Sequence, residues 1–129
     1  MAASVLIADD DANISQALCF LMQREGHEVR TAADGEQTLA AIEQQRPDVV
    51  LLDLMMPKGN GYEICRALRA NRRYDGMRII MLSAKGGEAD RRIGRNLGAD
   101  AYISKPFAIA DVVACVRAVL AEGYARPAK

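Results

Sequence analysis

Val49-Val50-Leu51-Leu52-Asp53 is an unbroken aliphatic run closed by a carboxylate. Such a run has no polar face to turn toward water. It therefore reads as a strand covered on both sides of its sheet, with Asp53 the first residue past the cover. The pattern recurs: Val5-Leu6-Ile7-Ala8 runs into Asp9-Asp10-Asp11, and Ile79-Ile80-Met81-Leu82 runs into Ser83-Ala84. Two weaker segments, 28–31 and 101–103, bring the expected strands to five, and Ser104-Lys105-Pro106 follows the last.

Segments of helical spacing separate the strands. Ile14, Leu18, Leu21 and Met22 mark a first helix ended by Gly26, and Leu39 and Ile42 a second bounded by Pro47. Tyr62, Cys65 and Leu68 line a third, and Ile109, Val112, Val113, Val116 and Leu120 a fifth. The fourth, about 87–97, is polar and Arg-rich; its expected apolar stripe is Ala89, Ile93 and Leu97, and Gly94 lowers its propensity. A helix held so weakly is expected to be able to move. Strict alternation of this kind implies an α/β fold, a doubly wound five-stranded parallel sheet with right-handed crossovers and five helices on its two faces. Ligands of such sheets bind beyond the carboxyl ends of the strands, where strand order reverses. Every expected strand but the second delivers chemistry to that edge: Asp9 and Asp10, Asp53, Ser83, and Lys105.

Composition bounds what this site can serve. The chain has 129 residues, enough for one domain with a substantial core. Lys+Arg and Asp+Glu balance at 17 each, so no global field draws it to nucleic acid or an anionic membrane. Its first residues carry neither a basic region nor an apolar signal core, and no apolar stretch approaches the roughly 20 residues of a membrane span. A cytoplasmic protein is expected. Cys19, Cys65 and Cys115 lack metal-type spacing and are expected to be reduced packing residues.

A dinucleotide-binding turn after the first strand would be rich in glycine; here it is acidic. Carboxylates gathered near one point repel one another, and Lys105 offsets only one charge. A hard cation with oxygen ligands relieves the rest, and Mg2+ suits few carboxylates, retained waters and a phosphate oxygen. Asp53 could then act as a nucleophile forming an aspartyl phosphate, with Lys105 and the cation stabilising the transferring group and the Ser83 hydroxyl bonding one of its oxygens.

Asp9-Asp10, the run Asp53-Leu54-Met55-Met56-Pro57 with Gly61 after it, Leu82-Ser83-Ala84-Lys85, and Gly98-Ala99-Asp100-Ala101-Tyr102 leading to Lys105-Pro106-Phe107 together resemble the receiver domain of two-component response regulators. The likeness spans about residues 4–122, and its motifs are specific as an ordered set. It implies the flavodoxin-like strand order 2-1-3-4-5, with residues 1–122 as the receiver domain and 123–129 as a tail or the start of a linker. It further implies Asp53 as phosphoacceptor, Asp10 and Asp53 as direct metal ligands, Asp9 acting through a water, and the Met55 carbonyl as a further ligand. Lys105 would contact the phosphoryl group, with a cis peptide before Pro106. Ser83 and Tyr102 would form a switch pair. The implied phosphodonor is a sensor histidine kinase or histidine phosphotransfer protein, and the implied output is a partner at the face of helix four, strand five and helix five.

Other features divide between function and plain structure. Asp11 lies outside the matched pair and is expected to cap a helix. Arg91, Arg92 and Arg95 are expected on a solvated or partner-facing helix, because no aromatic residues interleave them as in a nucleic-acid patch. Arg69, Arg72 and Arg73 suit the negative end of the third helix. Asn60 and Ser83 stand where the family more often carries Asp and Thr. Arg91, Asp100, Asp111 and Arg117 fit the charged face through which DNA-binding regulators dimerise, but Ala101 and Cys115 break that pattern. A monomer or a phosphorylation-dependent dimer is expected. The alternative function is a phosphohydrolase acting on an external ester, which would want a general acid two residues after the nucleophile; Met55 has no proton to give. Met55 and Lys85 are expected to flank the site and tune its access to water.

Overall fold

A computed structural model describes residues 3–84 and 87–121. Lys85 and the segment 123–129 lie outside the described residues. Five strands, β1 (Ser4–Ala8), β2 (Glu28–Ala32), β3 (Val49–Asp53), β4 (Arg78–Ser83) and β5 (Ala101–Ser104), form one sheet in the order β2-β1-β3-β4-β5. Every pairing in it is parallel. The chain winds outward from β1 to β2 and then crosses back to β3, so strand order reverses between β1 and β3. Helices α1 (Ala12–Arg24), α2 (Gly35–Gln44), α3 (Gly61–Arg69), α4 (Glu88–Asn96) and α5 (Ile109–Ala121) fill the crossovers. A two-residue ribbon, Met55–Met56 against Gly59–Asn60, and a 3-10 turn, Arg72–Tyr74, were not foreseen from the spacing of apolar residues.

The strands split their side chains between two cores by simple alternation. Val5, Ile7, Val49, Leu51, Ile80 and Leu82 face Leu18 and Met22 of α1 and Val112, Val116 and Val119 of α5. Leu6, Ala8, Val50, Leu52, Ile79 and Met81 face Ile42 of α2 and Ile64, Cys65 and Leu68 of α3. Each fully covered aliphatic side chain contributes roughly 1.5–3 kcal/mol, which is why β1, β3 and β4 read so clearly as strands. The three cysteines are free thiols in this packing, and burial pushes the Cys115 thiol up. No helix among the described residues is long and apolar enough to cross a membrane.

Short polar side chains set where the helices begin. Asp11 accepts from the Asn13 and Ile14 amides at 2.9 and 3.3 Å, the capping role expected of it. Asp34 caps α2 through the Gln37 amide at 2.8 Å, while the Gln37 side chain accepts from Ala33. Asn60 caps α3 through Tyr62 at 2.8 Å and more loosely through Glu63. Asn serves as well as Asp at that position, which accounts for the departure from the family pattern.

Helix α4 differs from expectation. Leu97 of the expected stripe packs against the core, but Ala89 and Ile93 are exposed, and the helix meets the sheet at Gly94. A Cβ at Gly94 would stand 2.9 Å from Met81 Sδ and 3.0 Å from the Tyr102 ring, so the missing side chain is what permits the approach. Polar groups then fasten α4. Arg91 donates to the Tyr102 carbonyl at 3.2 Å and to Ser104 Oγ at 2.8 Å, and its guanidinium lies 5.6 Å from the Tyr102 ring centroid.

Arg69 stands in the last turn of α3, as expected, and has a further role there. It runs inward and pairs with Asp100 at 2.9 Å, the two side chains only 4% and 6% exposed. It also donates to the Gly98 and Tyr74 carbonyls, while Asp100 accepts from the Ile79 amide. This network ties α3 to the start of β5. Removing one partner of a buried pair strands the other charge. Arg69→Ala is therefore expected to lose roughly 3–5 kcal/mol of unfolding free energy, against less than about 0.5 kcal/mol for Arg72→Ala on the exposed 3-10 turn. Urea unfolding of the two variants checks this; equal losses would contradict the account.

Candidate functional site

Parallel register sets the carboxyl ends of the strands in a row. Ala8 pairs with Leu52, Asp53 with Leu82 and Ser83 with Ser104, so the residues at or just past the carboxyl ends of β1, β3, β4 and β5 share one edge. Asp9 is buried there. Its carboxylate accepts from the Asp11 amide at 2.9 Å and from Lys105 Nζ at 3.0 Å, and its own amide donates to Ala32 of β2. Asp53 is buried beside it, accepting from the Met55 amide at 3.2 Å, with Lys105 Nζ 3.6 Å away. Asp10 is exposed at the rim. One carboxylate oxygen from each of Asp9, Asp10 and Asp53 lies within 4.8 Å of the others. The Lys105–Pro106 peptide is cis, as the resemblance implied.

Charge in this cluster is unbalanced. Burial pushes the Asp53 carboxyl up to about 6; the charge of Asp9 and a hydrogen bond with Asp10 add to the rise, while the Met55 amide and Lys105 oppose it. For Lys105, burial works against the ammonium but is outweighed by the Asp9 hydrogen bond and the fields of Asp53 and Asp9, so its pKa ends above the ordinary value. One ammonium thus faces three carboxylates, and Asp53 compensates by holding a proton far longer than a free aspartate does. A divalent cation could take that proton's place. The donor set is all oxygen, two of its acids are buried and the third stands open to water, which fits Mg2+ with retained waters. A cleft of about 490 Å³ opens there between Asp10 and the loop 54–60. Met55 lies on that loop with its side chain exposed.

Ser83 and Tyr102 lie on the α3–α4 side of the sheet, two residues apart in register, since Tyr102 pairs with Met81 and Ser104 with Ser83. Ser83 is fully buried. Tyr102 is turned inward, its ring under Gly94 and Arg91. Tyr62 was legible only as a helix-core position, yet its hydroxyl meets that of Tyr102 and donates to the Asp90 carbonyl at 3.4 Å. Its pKa is pushed up to about 12, first by burial and then by Tyr102. Gly94, Arg91 and Tyr62 therefore cage the aromatic ring. No sequence signal singled out Tyr62 beyond its helical spacing. Of the charges on the expected dimerisation face, Asp100 is held by Arg69 and Arg117 by Glu25, both within the chain.

The raised pKa of Asp53 has a definite consequence for stability. Below about pH 4 the carboxyl is neutral in both folded and unfolded chains, and its burial carries no charge penalty. As pH rises through about 6, the unfolded chain releases this proton more readily than the folded one, and stability falls. In chelator-treated buffer, Asp53→Asn is therefore expected to be more stable than wild type at about pH 7.5, with the gap closing toward about pH 4. Thermal unfolding across that range tests it. A gap of constant size would refute the assignment of the penalty to Asp53.

Comparison with known proteins agrees with this geometry. Residues 5–117 match the family model described as the response regulator receiver domain. The receiver domain of Francisella response regulator 1452 superposes with a TM-score of 0.88 at 30% identity, over 95% of this chain and 99% of that one. The chemotaxis response regulator CheY4 of Vibrio cholerae gives 0.87 at 33% identity, over 92% and 99%. NtrX from Brucella abortus gives 0.85 at 27% identity over 95% of this chain but only 28% of its own length. With a family match over most of its length and five strands in the order and direction of that fold, the chain belongs to the response regulator receiver domain family of two-component signalling.

Proposed function

We propose that Asp53 is the phosphoacceptor of this receiver and that residues 1–122 form the phosphoacceptor domain, with 123–129 a tail or linker start. The observation that carries it is the placement of one buried carboxylate, Asp53, between a rim acid, Asp10, and the Lys105 ammonium at the point of strand reversal. An Asp53 oxygen attacks the phosphorus of a phosphohistidine on a sensor kinase or phosphotransfer protein. The P–N bond breaks, and the imidazole leaves with the electron pair. Asp10 and Asp53 would hold Mg2+ directly, Asp9 through a water, and the Met55 carbonyl would complete the protein ligands. Bound there, Mg2+ would neutralise the negative charge of the phosphoryl oxygens. Lys105, already 3.6 Å from Asp53, turns from Asp9 toward the new anion.

The Ser83 hydroxyl then bonds a phosphoryl oxygen, and Tyr102 and the polar fastenings of α4 respond, so that the α4–β5–α5 face shifts between two populations with different affinity for an output partner. The free thiols suit a reducing, cytoplasmic setting. Hydrolysis of an external phosphoester is not favoured, because the exposed thioether of Met55 occupies the place of a general acid.

Mg2+ with beryllofluoride is expected to raise the melting temperature of wild type by about 5 °C or more at saturation. Asp53→Ala should lose that increment, and acetyl phosphate with Mg2+ should add one phosphoryl group to wild type only. Equal stabilisation of both proteins would sink the assignment.

A further inference from the structure

We infer that Gly35, at the start of α2, is a positioning residue for the metal site, acting through the loop that follows Asp53. The inference rests on the proposed role of the Met55 carbonyl as a metal ligand. A carbonyl has no side chain with which to adjust, so its position is set wholly by the backbone around it. That backbone is the ribbon in which Met55 pairs with Asn60 and Met56 with Gly59, turning through Pro57 and Lys58. Lys58 sits at φ 58°, in the left-handed region, at the tip of the turn.

Backbone contacts hold the ribbon at both ends. At its base, the Gly61 amide donates to the Leu54 carbonyl at 3.1 Å, and a Cβ on Gly61 would stand 2.7 Å from Leu54 Cα. At its tip, the Gly35 amide donates to the Pro57 carbonyl at 2.9 Å. A Cβ on Gly35 would fall 2.2 Å from the Lys58 carbonyl oxygen and 2.8 Å from Gly59 Cα. The obstruction is mutual, since a Cβ on Gly59 would meet Gly35 Cα at 2.9 Å. These are backbone atoms, which cannot swing aside as the end of a flexible side chain can. Any side chain at position 35 therefore displaces the turn, and the two-residue ribbon passes the displacement to Met55. The Asp9 carboxylate is held outside the ribbon by the Asp11 amide and Lys105, whereas Asp53, which accepts from the Met55 amide, feels the same displacement through that bond.

The expected signature is a metal defect out of proportion to the loss of stability. Mg2+ titration followed by amide chemical shifts should show Gly35→Ala binding about ten-fold or more weakly than wild type, at a temperature where both are folded. Gly26→Ala supplies the control: it strains a φ of +92° with nothing within 4 Å of the new methyl, so it destabilises the fold without touching the loop. Its Mg2+ affinity should stay within about two-fold of wild type. Gly59→Ala approaches the same contact from the other side and carries the test if Gly35→Ala does not fold. Unchanged Mg2+ affinity in the folded Gly35 or Gly59 variant, or an equal loss in Gly26→Ala, would overturn the role of Gly35 while leaving the metal site intact. Failure of wild type to bind Mg2+, or binding that survives Asp10→Ala undiminished, would instead overturn the metal site itself and the inference with it.

Discussion

A parallel sheet covered on both faces leaves its chain almost nowhere to keep polar groups. Along β1, β3 and β4 both sets of alternating side chains are committed to the two cores, so a carboxylate placed within a strand would face apolar side chains with no compensating partner. The first position free of that rule is the residue that leaves each strand at its carboxyl end. Because all strands point the same way, those positions fall together at one edge. Burial thus dictates the gathering of Asp9, Asp53, Ser83 and Lys105 before any chemistry is asked of them, and strand reversal between β1 and β3 supplies the opening that Asp10 overlooks.

Gathering the acids is costly where no cation offsets their charge. Asp53 keeps a proton to about pH 6 because it is buried near Asp9, and Lys105 is shared between the two. Under the proposed function, the same imbalance would favour a divalent metal and, with it, a phosphoryl group whose charge both the metal and Lys105 would offset. A site of fully balanced charge would be more stable and would bind neither as well. Stability conceded at a functional edge while every other level of the fold is self-consistent is the expected trade.

Much of this was legible in the sequence, and the reason is physical. Runs buried on both faces have no polar residues, so β1, β3 and β4 and the acids that end them stand out, and the acids, the lysine and the hydroxyl fell where strand ends put them. Weakly patterned segments were less informative. Of the stripe Ala89–Ile93–Leu97 only Leu97 packs against the core, because the main contact of α4 is a glycine, Gly94 on Met81 and Tyr102, which leaves no hydrophobic signal. Arg69 was legible as a charge at the end of α3 but not as a partner of Asp100, since nothing local reveals that Asp100 lies under it. Tyr62 looked like a core residue of α3, and its meeting with Tyr102 depends on tertiary geometry alone. Gly35 carried no signal at all, because the group it accommodates is backbone from another part of the chain.

These missed contacts share a property that bears on how the site communicates. The interior cores hold α1, α2, α3 and α5 through many apolar side chains, each contributing a little and none decisive. Helix α4 is attached differently: a bare glycine against an aromatic ring, an arginine bonded to the Tyr102 carbonyl and the Ser104 hydroxyl, and a tyrosine reaching the Asp90 carbonyl. Such contacts are few and directional, so a small movement of β5 or of the Tyr102 ring breaks several together rather than loosening many slightly. Ser104, one of the two groups gripped by Arg91, pairs in register with Ser83 at the site edge. Under the proposed function, a phosphoryl group that draws on Ser83 therefore acts one strand away from the fastening of α4. The polar attachment that made α4 hard to read from sequence is what suits it to be the part that responds.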